Sequence, residues 1–482
     1  MTLRILLIKL FVFCLFYGQI FAHSGNPKYH VIIDTDGAAD DMRAVTMFLS
    51  GNDIRVLGIT CSQGNLKPGT VRFKVRALLS AFHHEGIPTA AAEAFDFPLP
   101  AWAAFARQIE WGNSVDELPE HNEQKASELL TDLSKNYKEK ITLIALGSLK
   151  TYADWLKKEP ELAQKIQRII WYNAHDVEKG FNYKISPESF HYIKNTGISL
   201  EIVENRSKNL LVNELFLKHL KQCSAIYAEQ IASVHTNKLV QKKIKEEHLH
   251  LWDDLVPLYM SLPILFETKQ ADGLRLAEIN SGLSPKLVYE VICDLLISGT
   301  TANNRVFETF PLDTALYKPA YAKILESTTQ AYGLIEWKAI SLTNEIHGHT
   351  GIYSIIGAKM GIRAMEYFNV GVNNLQVLSF AGYRPPLSCF NDGLQISAGA
   401  TIGQGLITVS DSVSQIPSAV FSFNGRTVSI SLKESITREM QEQIQYGVKT
   451  YGLLTDSYWA YIERLALEYW QKYDRHEIFN YN

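Results

Sequence analysis

From residue 29 onward, short apolar runs alternate with amphipathic stretches. Val31-Ile32-Ile33 is continuously apolar and predicts a buried strand, and the helical spacing of apolar positions over 42–49 predicts a helix behind it. Val56-Leu57-Gly58-Ile59-Thr60 predicts the next strand, followed by a helix over 71–82. Residues 141–146 and 169–172 repeat the theme around a helix at 149–156. Strands that are apolar at every position are covered on both faces. The pattern therefore predicts an α/β unit up to residue 332, built on a mostly parallel sheet with helices on both sides. Ligands of such sheets sit at the carboxyl ends of the strands. Residues 92–125, with Pro98, Pro100, Trp102, Trp111, Gly112, Asn113 and Pro119, predict a long loop, and 174–182 a second one.

Near residue 333 the clean alternation stops. Residues 333–482 predict a smaller α+β domain with a helix over 358–368, a hairpin over 420–432 turning at Asn424-Gly425, and a terminal helix over 455–472. At the other end, Arg4 and Lys9 sit in or beside an apolar run through Phe16, and Ala22 precedes polar His23-Ser24-Gly25. This predicts a signal peptide, residues 1–22, and a periplasmic or secreted protein with no stable membrane insertion after cleavage. An uncleaved anchor is the alternative. No other stretch is apolar for long enough to span a bilayer.

Composition changes the picture little. A chain of 482 residues, 46% hydrophobic and 20% charged, is globular and long enough for two cores. A net charge of −4 gives no electrostatic case for nucleic acid. Beyond Cys14 the cysteines are Cys61, Cys223, Cys293 and Cys389, with no C-x-x-C pair. That excludes a thiolate zinc finger and a dense disulfide framework, while leaving room for one disulfide of unassigned partners.

The chemistry is concentrated in Asp34-Thr35-Asp36-Gly37-Ala38-Ala39-Asp40-Asp41, at the end of the first strand. Four carboxylates in eight residues repel one another unless something neutralises them. A helix N-terminus offsets part of that charge. A hard divalent cation offsets the rest, and oxygen-only ligation favours Ca2+ or Mg2+ over zinc.

Asp-Thr-Asp-x-x-x-Asp-Asp after an apolar strand resembles the fingerprint of the nucleoside hydrolases that prefer inosine and uridine. The resemblance runs over about 29–330. Ser62-Gln63-Gly64-Asn65 is similar to the family's second strand end, Ile141 to Leu149 to the segment whose carbonyl ligates calcium, and Phe181-Asn182 with Ser186-Pro187-Glu188 to its ribose-binding segment. Trp252-Asp253 resembles the late motif that supplies the last metal carboxylate. The resemblance implies a mostly parallel, Rossmann-like sheet and the hydrolysis of a nucleoside, a small molecule, to free base and ribose. It implies that Asp36, Asp41, Asp253 and the Leu146 carbonyl hold Ca2+, that Asp36 is the general base for a metal-activated water, and that Asp34 orients the ligands. Asp40, Asn65 and Asn182 would grip the ribose hydroxyls. The closest likeness is to the purine-preferring branch, in which two tryptophans sandwich the base, so Trp111 and Trp252 would bind substrate and the role would be purine salvage outside the cytoplasm. A homodimer or homotetramer is likewise implied by the family alone. One departure matters: Gly180 replaces the Glu that precedes Phe-Asn in the family. Two further readings therefore stay open, a nucleoside- or ribose-binding protein of hydrolase fold with little turnover, and a hydrolase of a modified N-glycoside.

In the C-terminal part, His347-Gly348-His349, then Arg384 to Gln395 with Cys389 and Asp392, then Ala400 to Gly405, resemble the formylmethanofuran dehydrogenase E-like domain. This implies a second metal site at His347, His349, Cys389 and Asp392 for a transition metal such as Zn2+. Thr350-Gly351 and Ala400 replace thiolates usual in that family, which leaves a structural role for these residues equally open.

Overall fold

The computed structural model describes residues 27–112, 124–207, 209–298 and 306–482. The expected signal peptide and part of the long 92–125 segment lie outside the described residues.

The first sheet has eight strands: β1 (Tyr29–Thr35), β2 (Ile54–Cys61), β3 (Thr89–Ala91), β4 (Ile141–Ala145), β5 (Ile166–Tyr172), β6 (Ser199–Glu204), β7 (Phe266–Ala271) and β8 (Leu274–Ile279). Their order is β3-β2-β1-β4-β5-β6-β8-β7. All neighbours are parallel except the edge pair β7–β8. The apolar runs end up where the pattern placed them. Along β1, Val31 and Ile33 enter one core, with residues of the helices Ala39–Ser50, Pro68–Ala81 and Pro285–Ser298. Ile32 enters the opposite core, with the helices Ala126–Asn136, Lys150–Lys158 and Pro187–Lys194. β1 lies between β2 and β4, with Asp34 opposite Thr60 and Ala145. This register brings the segments after Thr35, Cys61 and Ala145 together at one end of the sheet.

The two expected loops are partly ordered into elements. The helix Ala103–Gln108 lies in the first, and a 3-10 turn, Val177–Lys179, followed by the helix Phe181–Ile185 occupies the second.

The C-terminal unit holds β9 (Gln376–Ser379), β10 (Ile407–Val409), β11 (Ser418–Phe423), β12 (Arg426–Leu432) and β13 (Phe479–Tyr481), in the order β10-β9-β11-β12-β13. The β11–β12 hairpin turns on Asn424 (φ 49°) and Gly425 (φ 77°), the left-handed pair that suits the twist of the strands. The boundary expected at 333 is corrected. Phe310, Ile324 and Leu325 already belong to the second core. Position 333 is instead a kink inside the helix Leu325–His347, where Gly333 takes φ 82°.

The two units dock through the turn at 83–86. The Gly86 N–H donates to the Tyr367 carbonyl (2.8 Å), Arg363 donates to the His83 carbonyl (3.0 Å) and to Glu85 (2.9 Å), and the His83 and His476 rings stack at 3.7 Å. Gly86 is required there, since a Cβ would lie 2.5 Å from the Tyr367 ring. Among the described residues no helix is long and apolar enough to cross a membrane.

Candidate active site: a carboxylate cluster at the strand ends

β1 delivers Asp34 and Thr35, the chain turns at Gly37 (φ +79°), and the first turn of the helix Ala39–Ser50 carries Asp40 and Asp41. Asp41 is fixed locally: one carboxylate oxygen accepts from the Thr35 hydroxyl (2.7 Å) and the Asp36 N–H (3.1 Å). Asp253 arrives just before the helix Leu255–Ser261. Asp40, Asp41 and Asp253 offer carboxylate oxygens that all lie within 4.8 Å of one another. Among the described residues no other group of three or more His, Cys, Asp or Glu side chains does so.

Burial and mutual repulsion raise the whole cluster. Asp34 and Asp40 are each pushed up to about 7, chiefly by burial. Asp36, Asp41 and Asp253 are also raised, by burial first, with the Asp41 charge next for Asp36 and Asp253. Groups this crowded stay ionised only beside compensating positive charge. One oxygen of Asp253 is buried without a hydrogen-bond partner. An all-oxygen set with Asp41 and Asp253 buried, Asp40 half-buried and one acceptor unsatisfied fits a hard divalent cation such as Ca2+.

Compared with the expected ligands, Asp41 and Asp253 converge, but the third carboxylate of the trio is Asp40, assigned from the sequence to the sugar, and not Asp36. Asp36 sits beside the trio in a cradle of glycines. A Cβ on Gly64 would lie 2.1 Å from its carboxylate oxygen, and one on Gly147 3.2 Å from its Cβ. The Gly of Gly64-Asn65 is thus a requirement of space. Asn65 is buried with both amide atoms unpartnered, so a donor and an acceptor remain for a ligand. Asp34 lies under the site, accepting from the Thr60 hydroxyl (2.6 Å), with its other oxygen unpartnered.

Asn182 donates to the Leu146 carbonyl (2.8 Å) and to the Tyr172 carbonyl (3.1 Å). Its amide nitrogen therefore ties the ends of β4 and β5 together and occupies one lone pair of the carbonyl assigned to the metal. Asn173 is buried beside it. Its nitrogen donates to the Val177 carbonyl (2.9 Å) and its oxygen has no partner.

The aromatic assignments divide. Trp252 is 38% exposed and stacks on His250 at 5.2 Å. Trp111 is 3% exposed and belongs to the core of the first unit, edge-on to His235. Its assignment to the base is corrected: a ring so enclosed has no face left for a ligand. The exposed aromatic of that segment is Trp102, 53% exposed, which meets Phe181 edge-on at 5.2 Å, while Phe97 meets Phe181 from another side at 6.3 Å. The Pro-rich pattern of 92–125 places Trp102 in a loop with no role. The one available signal was that its partner Phe181 directly precedes Asn182.

Arg43 is the other residue that sequence reasoning missed. Fully buried, it forms a two-pronged ion pair with Asp254 (2.8 and 2.9 Å) and donates to the His250 carbonyl (3.0 Å). It thereby locks the turn that carries Trp252 and Asp253 onto the helix that carries Asp40 and Asp41.

The second metal site is not assembled from all four expected residues. His347 Nδ1 pairs with Asp392 (2.8 Å), whereas His349 packs its ring against His347 and Trp459. The Cys389 thiol is pushed up to about 11 by burial and the nearby Asp392 charge, which favours the protonated form over a ligating thiolate.

An α/β protein with a carboxylate cluster at the carboxyl ends of a mostly parallel sheet is the class that fold and site define. The chain belongs to the inosine-uridine preferring nucleoside hydrolase family, whose sequence model matches residues 31–292. Residues 346–473 match a second family, described as FmdE, molybdenum formylmethanofuran dehydrogenase operon. Among curated relatives, uridine nucleosidase 1 of Arabidopsis thaliana is 23% identical over 217 residues, 42% of this chain and 65% of that protein. The pyrimidine-specific ribonucleoside hydrolase RihA of Klebsiella pneumoniae is 26% identical over 190 residues, 35% of this chain and 57% of that protein. The chain thus matches less than two thirds of the length of either relative. Among solved structures, the purine-preferring ribonucleoside hydrolase from Gardnerella vaginalis aligns with a TM-score of 0.48 at 15% identity, over 56% of this chain and 100% of that one.

Proposed function

We propose that this protein hydrolyses the N-glycosidic bond of ribonucleosides, releasing free base and ribose, with a divalent cation, Ca2+ in the first instance, held by the Asp40, Asp41 and Asp253 carboxylates. The observation that carries the reading is this carboxylate trio, two of its members buried, beside a raised Asp36 and an Asn65 with both amide atoms unpartnered. A cation bound there supplies a coordinated water of lowered pKa. Asp36, raised by burial and the Asp41 charge, is suited to take that water's proton as general base. Asn65 offers one donor and one acceptor to neighbouring ribose hydroxyls, contacts that strengthen as the sugar approaches an oxocarbenium ion.

Base preference rests on fewer residues than the sequence suggested. With Trp111 in the core, a two-sided tryptophan clamp is not available, and the purine reading keeps Trp252 as its support. The two curated relatives above are described as acting on uridine and on pyrimidine ribonucleosides. A modified sugar is the second reading. Gly180 carries no carboxylate, and the adjoining space is taken by Asn173. Export, with salvage outside the cytoplasm, is supported by Arg4, Lys9, the apolar run and Ala22.

The test is release of free base by the purified full-length chain with Ca2+, across inosine, guanosine, uridine, cytidine and a 5′-substituted nucleoside. Asp36→Asn should abolish release from any substrate that reacts. A folded, calcium-loaded wild type that releases no base from the whole panel would leave the binding-protein reading in its place.

A further inference from the structure

Two of the four cysteines among the described residues meet inside the first unit. Cys223 follows the helix Glu214–Gln222, and Cys293 lies in the helix Pro285–Ser298, 70 residues further on. The Cys223 thiol donates to the Cys293 carbonyl at 3.5 Å, which brings the Cys223 sulfur against the backbone of Cys293. Both side chains are buried, whereas Cys61 lies at the end of β2 and Cys389 in the C-terminal unit.

The approach of the two sulfurs is set by helix packing one to two turns away. Phe216 packs on Tyr289 with ring centroids 5.2 Å apart, Asn213 donates to the Tyr289 hydroxyl (3.2 Å), and that hydroxyl donates to the Leu211 carbonyl (2.7 Å). Positions 216, 219 and 223 recur at helical spacing, as do 289 and 293, so the ring contacts and the thiols lie along one seam.

We propose that Cys223 and Cys293 are a modification site, joined by an intramolecular disulfide when the protein folds in an oxidising compartment. The reaction partner is a disulfide, either a small-molecule disulfide such as oxidised glutathione or the active-site disulfide of a thiol oxidase. The Cys223 thiolate attacks one sulfur of that disulfide, forming a mixed disulfide and expelling a thiolate. The Cys293 thiolate then attacks the Cys223 sulfur and expels the second. Two protein thiols are oxidised, the oxidant is reduced to two thiols, and the two protons pass to the expelled thiolates. Hydrogen bonding from Cys293 holds the Cys223 thiol below its ordinary range, which favours Cys223 as the first nucleophile.

The position gives the bond a consequence. Residues 211–250 form an excursion whose ends are joined by a Leu211–His250 bridge, and the chain leaves it directly before Trp252 and Asp253. The helix Pro285–Ser298 is bonded to the helix bearing Asp40 and Asp41: Ser50 donates to the Leu295 carbonyl (3.2 Å) and Ser298 to the Ser50 carbonyl (3.0 Å). The disulfide would therefore tie the excursion to the scaffold behind the carboxylates. Its formation is independent of the proposed hydrolase activity, and its test reads thiols and not turnover.

Full-length protein is refolded with oxidised glutathione, denatured, alkylated and mapped by mass spectrometry, in wild type and in Cys223→Ser. The expected result is one cross-linked peptide pair containing Cys223 and Cys293, with Cys61 and Cys389 alkylated. The oxidised wild type should melt about 5 °C or more above the reduced protein, because the bond closes a long loop. The cross-link and the increment should both be absent from Cys223→Ser. Alkylation of both Cys223 and Cys293 in the refolded wild type, or a cross-link joining either to Cys61 or Cys389, would overturn the proposal. If the variant does not fold, the wild-type map decides alone.

Discussion

The side chain of Asn173 occupies the space that any side chain at position 180 would need: a Cβ on Gly180 would lie 1.9 Å from the Asn173 Oδ1. Gly180 has an ordinary backbone conformation (φ −61°), so the glycine answers to space and not to strain. The two positions form one packing unit beside Asn182. Gly180→Ala should destabilise the fold by about 1–3 kcal/mol through overpacking. Gly180→Ala combined with Asn173→Gly should recover most of the loss. Chemical denaturation of the four proteins of this cycle checks the coupling, and additive losses would show that the residues do not share the space.

Arg43 and Asp254 hold each other in a region from which water is excluded. Both side chains are 1% exposed. Removing one member leaves a buried charge unpaired, so Arg43→Met should cost about 3–5 kcal/mol. Asp254→Leu added to it should restore much of that stability. Because the pair carries the turn bearing Asp253, the single variant should also weaken Ca2+ binding, measured by calorimetry, more than a surface substitution such as Lys245→Met.

The docking of the two units carries a pH dependence through His84. This ring is buried, donates from Nδ1 to the Glu366 carbonyl (2.7 Å) and accepts at Nε2 from the Tyr227 hydroxyl (2.8 Å). Burial pushes it down to about 4. Its folded value lies below its unfolded value of about 6.5. The contribution to stability is therefore present above pH 6.5 and is lost as the pH falls through 4. The neighbouring Glu85 and Glu366 favour protonation and Arg363 opposes it. His476 acts with the opposite sign. Against burial, its hydrogen bonds to Asp474 and Glu366 hold it above its ordinary value. The stability it adds is complete below pH 6.5 and declines as the pH rises through that folded value. For His84→Gln, thermal melts between pH 7 and pH 4 should show a shallower loss than wild type, the difference approaching about 3 kcal/mol at the acid end.

The central strands of the first unit were legible because β1, β2 and β4 are buried along nearly their whole length and the acidic run falls directly after one of them, whereas β7, exposed beyond Phe266, carries no such apolar run. The carboxylates that converge were legible as a set, but not which three of them lie closest together. Asp36 and Asp40 flank a single turn, and that the Asp40 oxygen is the one within 4.8 Å of Asp41 and Asp253 is a matter of the turn's local geometry, which has no periodic signature. Trp111 and Trp102 sit in the same Pro-rich segment, and composition does not distinguish the buried ring from the exposed one. Arg43 and Asp254 are 211 positions apart, beyond any pattern within an element. The domain boundary moved because Phe310, Ile324 and Leu325 are too scattered to announce a new core before the helix that follows.

Gly64 offers the most direct control over the proposed base. Any Cβ at position 64 would lie 2.1 Å from the Asp36 carboxylate oxygen and 2.9 Å from its carboxyl carbon. The carboxylate would have to rotate away, because the backbone behind it is held by the parallel pairing of β1 with β2 and β4. Gly64→Ala should therefore lower kcat by about 100-fold or more, the scale expected when a general base is displaced. Ca2+ binding should fall much less, since Asp40, Asp41 and Asp253 do not depend on position 64. Gly69→Ala is the matched control, because a Cβ there meets nothing within 4 Å. Steady-state kinetics and calcium titration of the two variants separate the outcomes. Equal losses of turnover and calcium affinity in Gly64→Ala would mean that Asp36 serves chiefly as a ligand of the cation, with the proton of the attacking water going elsewhere.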